Sequence, residues 1–238
     1  MIIYGKNTVK EAINSKRRIF NLFIDEKNLD LRLLNFLKKI KFNFKSVDKQ
    51  FLNNLTGINK HQGIVAKVDD YKYSSLEICL NNVDSEKIQR FLILDQIQDP
   101  HNFGAILRTV EASGFEGIIV SHKHQAPINS TVAKIASGAL EYVKIFLVAN
   151  IYQTILKLKK HNILIISADE KSSYTLEKIP LKRSLAIIIG NEGKGIRFLL
   201  KKNSDLLVKI PMQGKINSLN VSVAAALFIY SILLSKNL

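Results

Sequence analysis

The chain is 238 residues long, 47% of them apolar, with a formal net charge of +15, which suits one large or two modest globular domains with a sizeable core. So large an excess of Lys and Arg favours a polyanionic partner, because these side chains displace counterions from phosphates; the abundance of Lys, Asn and Ile, all with A/T-rich codons, is a purely compositional reason for part of it. A single cysteine, Cys79, excludes an internal disulfide framework and fits a reducing compartment, and the five scattered His leave no zinc-ligand spacing, so no metal site is expected.

The first residues, MIIYGKNTVKEAINSKRR, lack the sustained apolar stretch of a signal peptide, and a cytoplasmic location is expected. Residues 5–15 read as a helix with Val9, Ala12 and Ile13 on one face. RIFNLFID (18–25) reads as a strand. The helix expected over 29–40 is amphipathic, with Leu33, Leu34 and Leu37 inward and Arg32, Lys38 and Lys39 outward. A short strand at 44–47, a helix from Asp48 and a strand at 63–68 complete a small α/β domain over 1–70. The turn NKHQ (59–62) holds His61, whose type and basic neighbour suit either a turn residue or an RNA contact. Residues 71–87 are polar and weakly patterned and read as a linker, in which 76–80 can pack locally.

From Phe91 the pattern is a regular succession of apolar strands (91–95, 117–121, 143–148, 163–168, 185–190 and 206–211) and helices (103–113, 129–137, 151–160 and a terminal one). Continuous apolar strands separated by helices imply an α/β domain over 88–238 with a mainly parallel sheet covered on both faces. Ligands bind such sheets beyond the carboxyl ends of the strands. The final apolar run, 219–234, is interrupted by Asn220, Ser222 and Ser231 and is short for a membrane span, so it reads as a buried terminal helix.

Three strand ends carry unusual loops. In DQIQDPHNFGAILRT (95–109), Asn102 is suited to cap the following helix, and Gly104 allows close backbone approach. Arg108 follows about 9 Å further along the axis at ~1.5 Å per residue, where Glu111 could hold it in an ion pair. GNEGKG (190–195) has three glycines that let a ligand touch main-chain groups. It has neither the GxxxxGK[ST] of a P-loop nor the GxGxxG of a dinucleotide site, and Glu192 exceeds what a simple turn needs. In the stretch 207–234, LVKIPMQGKINSLNVSVAAALFIYSILL, the polar residues Asn217, Ser218, Asn220 and Ser222 lie between two apolar segments. A serine N-cap accounts for part of that, and the small residues Ala224, Ala225 and Ala226 permit close helix packing.

In this order and spacing, Asn102/Gly104/Arg108, GNEGKG and IPMQGKINSLNVSVAAA (210–226) resemble the three motifs of the SpoU (TrmH-like) family of RNA ribose 2′-O-methyltransferases. The resemblance covers 91 to about 234. YGKNTVKEAI near the start and HQGIVAKV (61–68) resemble the small α/β (L30e-like) RNA-binding domain of the family's bacterial 23S rRNA guanosine-2′-O-methyltransferase members. The resemblance implies a trefoil-knot methyltransferase domain, S-adenosyl-L-methionine as cofactor, no metal, an RNA partner and a homodimer joined by the terminal helix. It implies that Gly190, Asn191, Gly193, Gly195, Ile210, Pro211, Met212, Ser218 and Leu219 hold the cofactor. Arg108 would be the catalytic residue, with Asn102, Glu192, Ser218 and Asn220 as further active-site groups. A guanidinium keeps its proton up to a pKa above ~12, so Arg108 can serve by clamping a phosphate and orienting the hydroxyl. The N-terminal domain favours 23S rRNA over tRNA. The alternatives are a tRNA ribose methyltransferase and a non-catalytic RNA-binding or ribosome-assembly protein.

Overall fold

The computed structural model describes residues 1–81, 87–215 and 218–234. In chain order they form β1 (Ile2–Tyr4), α1 (Lys6–Asn14), β2 (Ile19–Ile24), α2 (Leu31–Lys39), β3 (Lys45–Ser46), α3 (Lys49–Thr56), β4 (Ile64–Val68) and α4 (Leu76–Asn81). There follow β5 (Arg90–Asp95), α5 (Pro100–Ser113), β6 (Gly117–Ser121), α6 (Ser130–Ala136), β7 (Ile145–Val148), α7 (Ile151–Lys160) and β8 (Leu164–Ala168). β9 (Leu185–Gly190), α8 (Phe198–Lys202), β10 (Leu206–Val208) and α9 (Val221–Leu234) complete the chain. β1 and α8 are too short to leave a readable period in the sequence. Two compact units result: Met1–Lys72 with Pro127–Tyr142, and Tyr73–Ala126 with Val143–Leu238.

Unit 1 is built on a four-stranded mixed sheet in the order β1-β4-β2-β3. β4 pairs antiparallel with both β1 and β2, while β2 and β3 run parallel. Its helices start where carboxylates meet free amides: Asp30 accepts from the N–H of Arg32 at 2.9 Å, and Asp48 from that of Phe51 at 2.7 Å. Leu33, Leu34 and Leu37 of α2 are buried, as their spacing requires. The segment 127–142 is held to α1 by several side chains. Thr8 Oγ1 donates to the Ala133 carbonyl at 3.3 Å and Asn7 Nδ2 to Ser137 Oγ at 3.1 Å. Arg17 forms a 2.7 Å ion pair with Glu141 in which the two side chains are 10% and 6% exposed.

Unit 2 is built on a six-stranded sheet in the order β10-β8-β9-β5-β6-β7, with every ladder parallel. All residues of β5 and β6 are buried, which is why these strands read as continuous apolar runs. Phe91, Ile93, Ile119, Ile165 and Ile188 share one cluster with Leu76 and Leu80 of α4, Ile151, Ile155 and Leu158 of α7, and Leu200 of α8. The alternate residues, Leu92, Leu94, Ile118, Val120 and Ile187, are buried as well. They need a second cover, and α5 packing on β6 and α9 packing on both α5 and β9 supply it. No described helix is long and apolar enough to cross a membrane.

Candidate active site

The two central strands of unit 2, β5 and β9, end side by side, with Asp95 opposite Gly190 in the parallel register. Asp95 is 1% exposed, and a carboxylate taken out of water needs compensating partners. Arg197 provides them: its main-chain N–H and Nε donate to the Asp95 oxygens at 3.0 and 2.8 Å, and Nη2 lies 2.7 Å away. This clamp draws the chain after the glycine loop back onto the end of β5.

The glycine loop closes on itself. Asn191 and Gly195 exchange main-chain hydrogen bonds of 3.2 and 2.9 Å. Asn191 Oδ1 accepts from the N–H groups of Gly193 and Lys194 at 2.9 and 3.1 Å, while Nδ2 donates to the Gln96 carbonyl at 3.0 Å. A Cβ on Gly190 would stand 2.3 Å from the Gly195 carbonyl carbon, so this position requires glycine for close approach.

The start of α5 differs from the sequence expectation. Asp99, not Asn102, is the cap: it accepts from the His101 N–H at 2.9 Å and Pro100 occupies the first helical position. An anionic cap followed by Pro begins a helix well, and Asn102 then lies within the first turn, two residues past Pro100, with its side-chain amide left for other partners. Asn102 Nδ2 donates to Glu192 Oε1 at 2.6 Å, and Asn102 Oδ1 accepts from Asn220 Nδ2 at 3.0 Å. Asn220 Oδ1 in turn accepts from the Ser222 N–H and hydroxyl at 2.9 and 2.6 Å. Asn220, rather than a serine, therefore orders the first turn of α9. One continuous set of hydrogen bonds joins the three loops, ending on the Glu192 carboxylate.

The remaining motif residues lie on α5, in the glycine loop and after the edge strand β10. Arg108 is exposed on α5, and among the described residues it has no hydrogen-bond or ion-pair partner. The pair with Glu111 does not form; an exposed ion pair is worth only ~0–1 kcal/mol against the entropy of fixing two long side chains. Gly195 adopts φ 65, the left-handed region. Ile210 is half-buried, and Pro211, Met212, Ser218 and Leu219 are exposed along the connection from β10 to α9. Asn217 lies outside the described residues. The Asp95–Arg197 clamp was not foreseen from sequence, although an acidic residue closing an otherwise apolar strand signals a buried charge in need of a cation.

In unit 1 the structure corrects the RNA-contact alternative for His61. The ring is 2% exposed, with Nδ1 accepting from the Gly63 N–H at 3.2 Å and Nε2 3.0 Å from Asn53 Oδ1. This is the neutral tautomer carrying its proton on Nε2. Burial pushes the His61 pKa below its ordinary value, and the Lys49 charge lowers it further.

A parallel sheet whose central strand ends carry a self-closed glycine loop and an amide–carboxylate network defines an α/β protein with a candidate ligand site beyond the carboxyl ends of its strands. The particular family follows from comparison. Residues 89–230 match the SpoU rRNA Methylase family, and residues 2–74 match the RNA 2′-O ribose methyltransferase substrate binding family. The chain is 34% identical over 239 residues to a Bacillus subtilis (strain 168) protein named for the TrmH family of tRNA/rRNA methyltransferases, covering 99% of this chain and 96% of that one. A Staphylococcus haemolyticus protein named for the same family is 36% identical over 236 residues, covering 98% and 94%. The fold is shared with the SpoU methyltransferase AviRb of Streptomyces viridochromogenes, solved with its cofactor AdoMet, at TM-score 0.82 and 19% identity over 100% of this chain and 90% of that one. An A. aeolicus TrmH/SpoU tRNA modifying enzyme aligns over 68% of this chain and 84% of its own at TM-score 0.58 and 27% identity. The chain belongs to the SpoU family of RNA methyltransferases.

Proposed function

We propose that the protein methylates a ribose 2′-hydroxyl of RNA at the β5/β9 strand ends, using S-adenosyl-L-methionine, and that its substrate is a guanosine of 23S rRNA. The observation that carries this reading is the continuous hydrogen-bonded set Glu192–Asn102–Asn220–Ser222, which gathers all three motif loops at one place. The residues present suit the cofactor. Gly190, Asn191, Gly193 and Gly195 offer a loop without bulky side chains, and Ile210, Pro211, Met212, Ser218 and Leu219 offer apolar contact and main-chain groups for an adenosine. When bound, the cofactor supplies a sulfonium methyl group for displacement by the ribose oxygen.

Arg108 is the residue assigned to catalysis. Its unpaired guanidinium is available to clamp a phosphate next to the target ribose and so orient the hydroxyl, and it keeps its own proton throughout. Holding the reacting groups in line is the main contribution such a site can make. Asn102, Glu192 and Asn220 hold the three motif loops together, and Ser218 lies two residues before Asn220 in the chain. The N-terminal match to a substrate-binding family supports an RNA contact in unit 1, and the alignment of a tRNA modifying enzyme over only 68% of this chain supports a ribosomal rather than a tRNA target. The exposed apolar residues Val223 and Leu227, one helical turn apart on α9, support burial of that helix against a second copy of the chain. The trefoil knot and a cytoplasmic location belong to the same reading.

Methyl transfer from labelled S-adenosylmethionine to unmodified 23S rRNA and tRNA tests it, with the modified nucleotide mapped in total RNA with and without the gene. Arg108→Ala is expected to reduce transfer at least about 100-fold, the scale of lost positioning, while calorimetry shows cofactor affinity unchanged. Full activity in that variant overturns the assignment of Arg108. Methylation of tRNA alone overturns the ribosomal substrate.

A further inference from the structure

Unit 1 carries its own group of hydrogen-bond donors. Lys134, on α6, reaches the turn before β4, where its Nζ donates to Gln62 Oε1 at 2.7 Å and lies 6.0 Å from the centre of the Tyr4 ring. The main-chain N–H of Lys6 donates to the same oxygen at 3.0 Å. Gly5, at φ 95, makes the room: a Cβ there would stand 2.1 Å from Lys134 Nζ. Lys6 Nζ is 3.4 Å from Asp30 Oδ2. Lys134 has no such partner, since no carboxylate among the described residues comes within ion-pair distance of it. Burial pushes the Lys134 pKa down, and the charge of Lys6 adds to that.

A partly desolvated ammonium with no carboxylate partner, held by a neutral amide and the face of the Tyr4 ring, is an unfavourable arrangement for a protein by itself. Drift toward lysine-rich composition does not account for it, because drift places lysines on open surface where water solvates them. Here the lysine crosses from one chain segment to another and a left-handed glycine makes space for its head. With Gln62 Oε1 already accepting twice, the amide nitrogen is that side chain's remaining group, so Lys134, Lys6 and Gln62 together present donors. We infer that these three residues form a subsite for a phosphodiester of the RNA substrate, extending the RNA contact surface beyond residues 2–74 to the segment 127–142. This subsite rests on the reading of the protein as an RNA methyltransferase. An acidic protein segment would want several spaced cations and apolar anchors, whereas a single phosphate can be met by the unpaired Lys134, the Gln62 amide and a Lys6 shared with Asp30.

The test is binding of full-length protein to transcripts of 23S rRNA and tRNA across a salt series, with melting temperature measured alongside. Lys134→Gln keeps a hydrogen bond to Gln62 within reach and removes the charge. The slope of log affinity against log salt is expected to fall in magnitude by about one, the loss of one phosphate contact. Affinity at ~100 mM salt should drop about three- to tenfold, with Lys134→Arg restoring both. Lys6→Gln should give a smaller change of the same sign without altering the fold. An unchanged slope in both charge-removing variants overturns the subsite while leaving the methyltransferase reading intact, provided the wild type still binds and methylates RNA. A wild type that binds no RNA overturns both. Titration with inorganic phosphate separates the sources: Lys134-dependent phosphate binding with an unaltered RNA slope would assign the site to a free anion and overturn the RNA assignment.

Discussion

Gly190 shows how one residue can decide the shape of a loop. Its backbone lies against Gly195 and Ile196, and a methyl group there would come within 2.3 to 2.6 Å of their main-chain atoms. Backbone cannot swing aside as a side-chain tip can, so the loop itself would open. Gly190→Ala is expected to lower stability by roughly 1–3 kcal/mol, the usual cost of overpacking, and to weaken S-adenosylmethionine at least about tenfold. Differential scanning calorimetry and cofactor titration read the two effects; a destabilised variant that binds the cofactor normally would remove the loop from the cofactor site. A Cβ on Gly193 would make ordinary contact only with Asn191, and one on Gly195 would meet nothing within 4 Å, but Gly195 adopts φ 65. The three glycines of GNEGKG are therefore unequal, a distinction that the string of letters does not make.

At the scale of an element, the turn 59–63 illustrates a polar group consumed by structure. His61 satisfies both ring nitrogens inside the unit and is kept neutral by burial. The folded chain resists its protonation, whereas the unfolded chain accepts a proton below about pH 6.5. The stabilising contribution of neutral His61 is thus fully present above about pH 6.5 and is lost as the pH falls toward and through the lowered folded value. Melting temperature measured from pH 7.5 down to 5.5 is expected to decline more steeply in the wild type than in His61→Gln, all other titrating groups being common to both. Parallel curves would show that the ring's burial carries no such penalty. A similar logic governs the start of α5: Asp99 and Pro100 take over the work of beginning the helix, which leaves Asn102 to link the loops. Residue type alone made Asn102 look like a cap, because amides cap helices well; the choice between two candidate caps three residues apart depends on what each side chain meets elsewhere.

For the whole molecule, the decisive fact is that unit 1 is made of two chain segments. Pro127–Tyr142, which follows β6 and precedes β7 in the chain, belongs to it, and the Arg17–Glu141 pair joins residues 124 apart in sequence. Arg17 also donates to the Asp69 carbonyl at 2.6 Å, and Tyr142 donates its hydroxyl to Glu11 at 2.7 Å. Unit 1 cannot complete its contacts until the chain has been made past Tyr142, a high-contact-order arrangement that slows folding. Removing one partner of a buried ion pair strands the other, at roughly 3–5 kcal/mol. Glu141→Gln is expected to destabilise the protein on that scale in urea, and Arg17→Met with Glu141→Leu to recover much of the loss. A double variant no better than the single one would show that the pair contributes by packing and not by charge.

The sequence by itself determined the parallel sheet of unit 2. Five-residue apolar runs between amphipathic helices can be buried only between two covering layers, and the strands from Arg90 to Gly190 are buried on both faces. It also marked the three motif loops, because glycine, amide and carboxylate residues recur beyond strand ends, where parallel sheets bind their ligands. Only the tertiary structure decided that Asp95 is clamped by Arg197, that Asn102 joins Glu192 to Asn220, that His61 is enclosed, and that Lys134 stands beside Gln62. Each of these pairs residues whose positions along the chain are unrelated by any helical or strand period, apart from the local turn around His61. Periodicity reports which face of an element is covered; which distant group covers it, and whether a polar side chain is spent on structure or left free for a substrate, is settled when the elements pack.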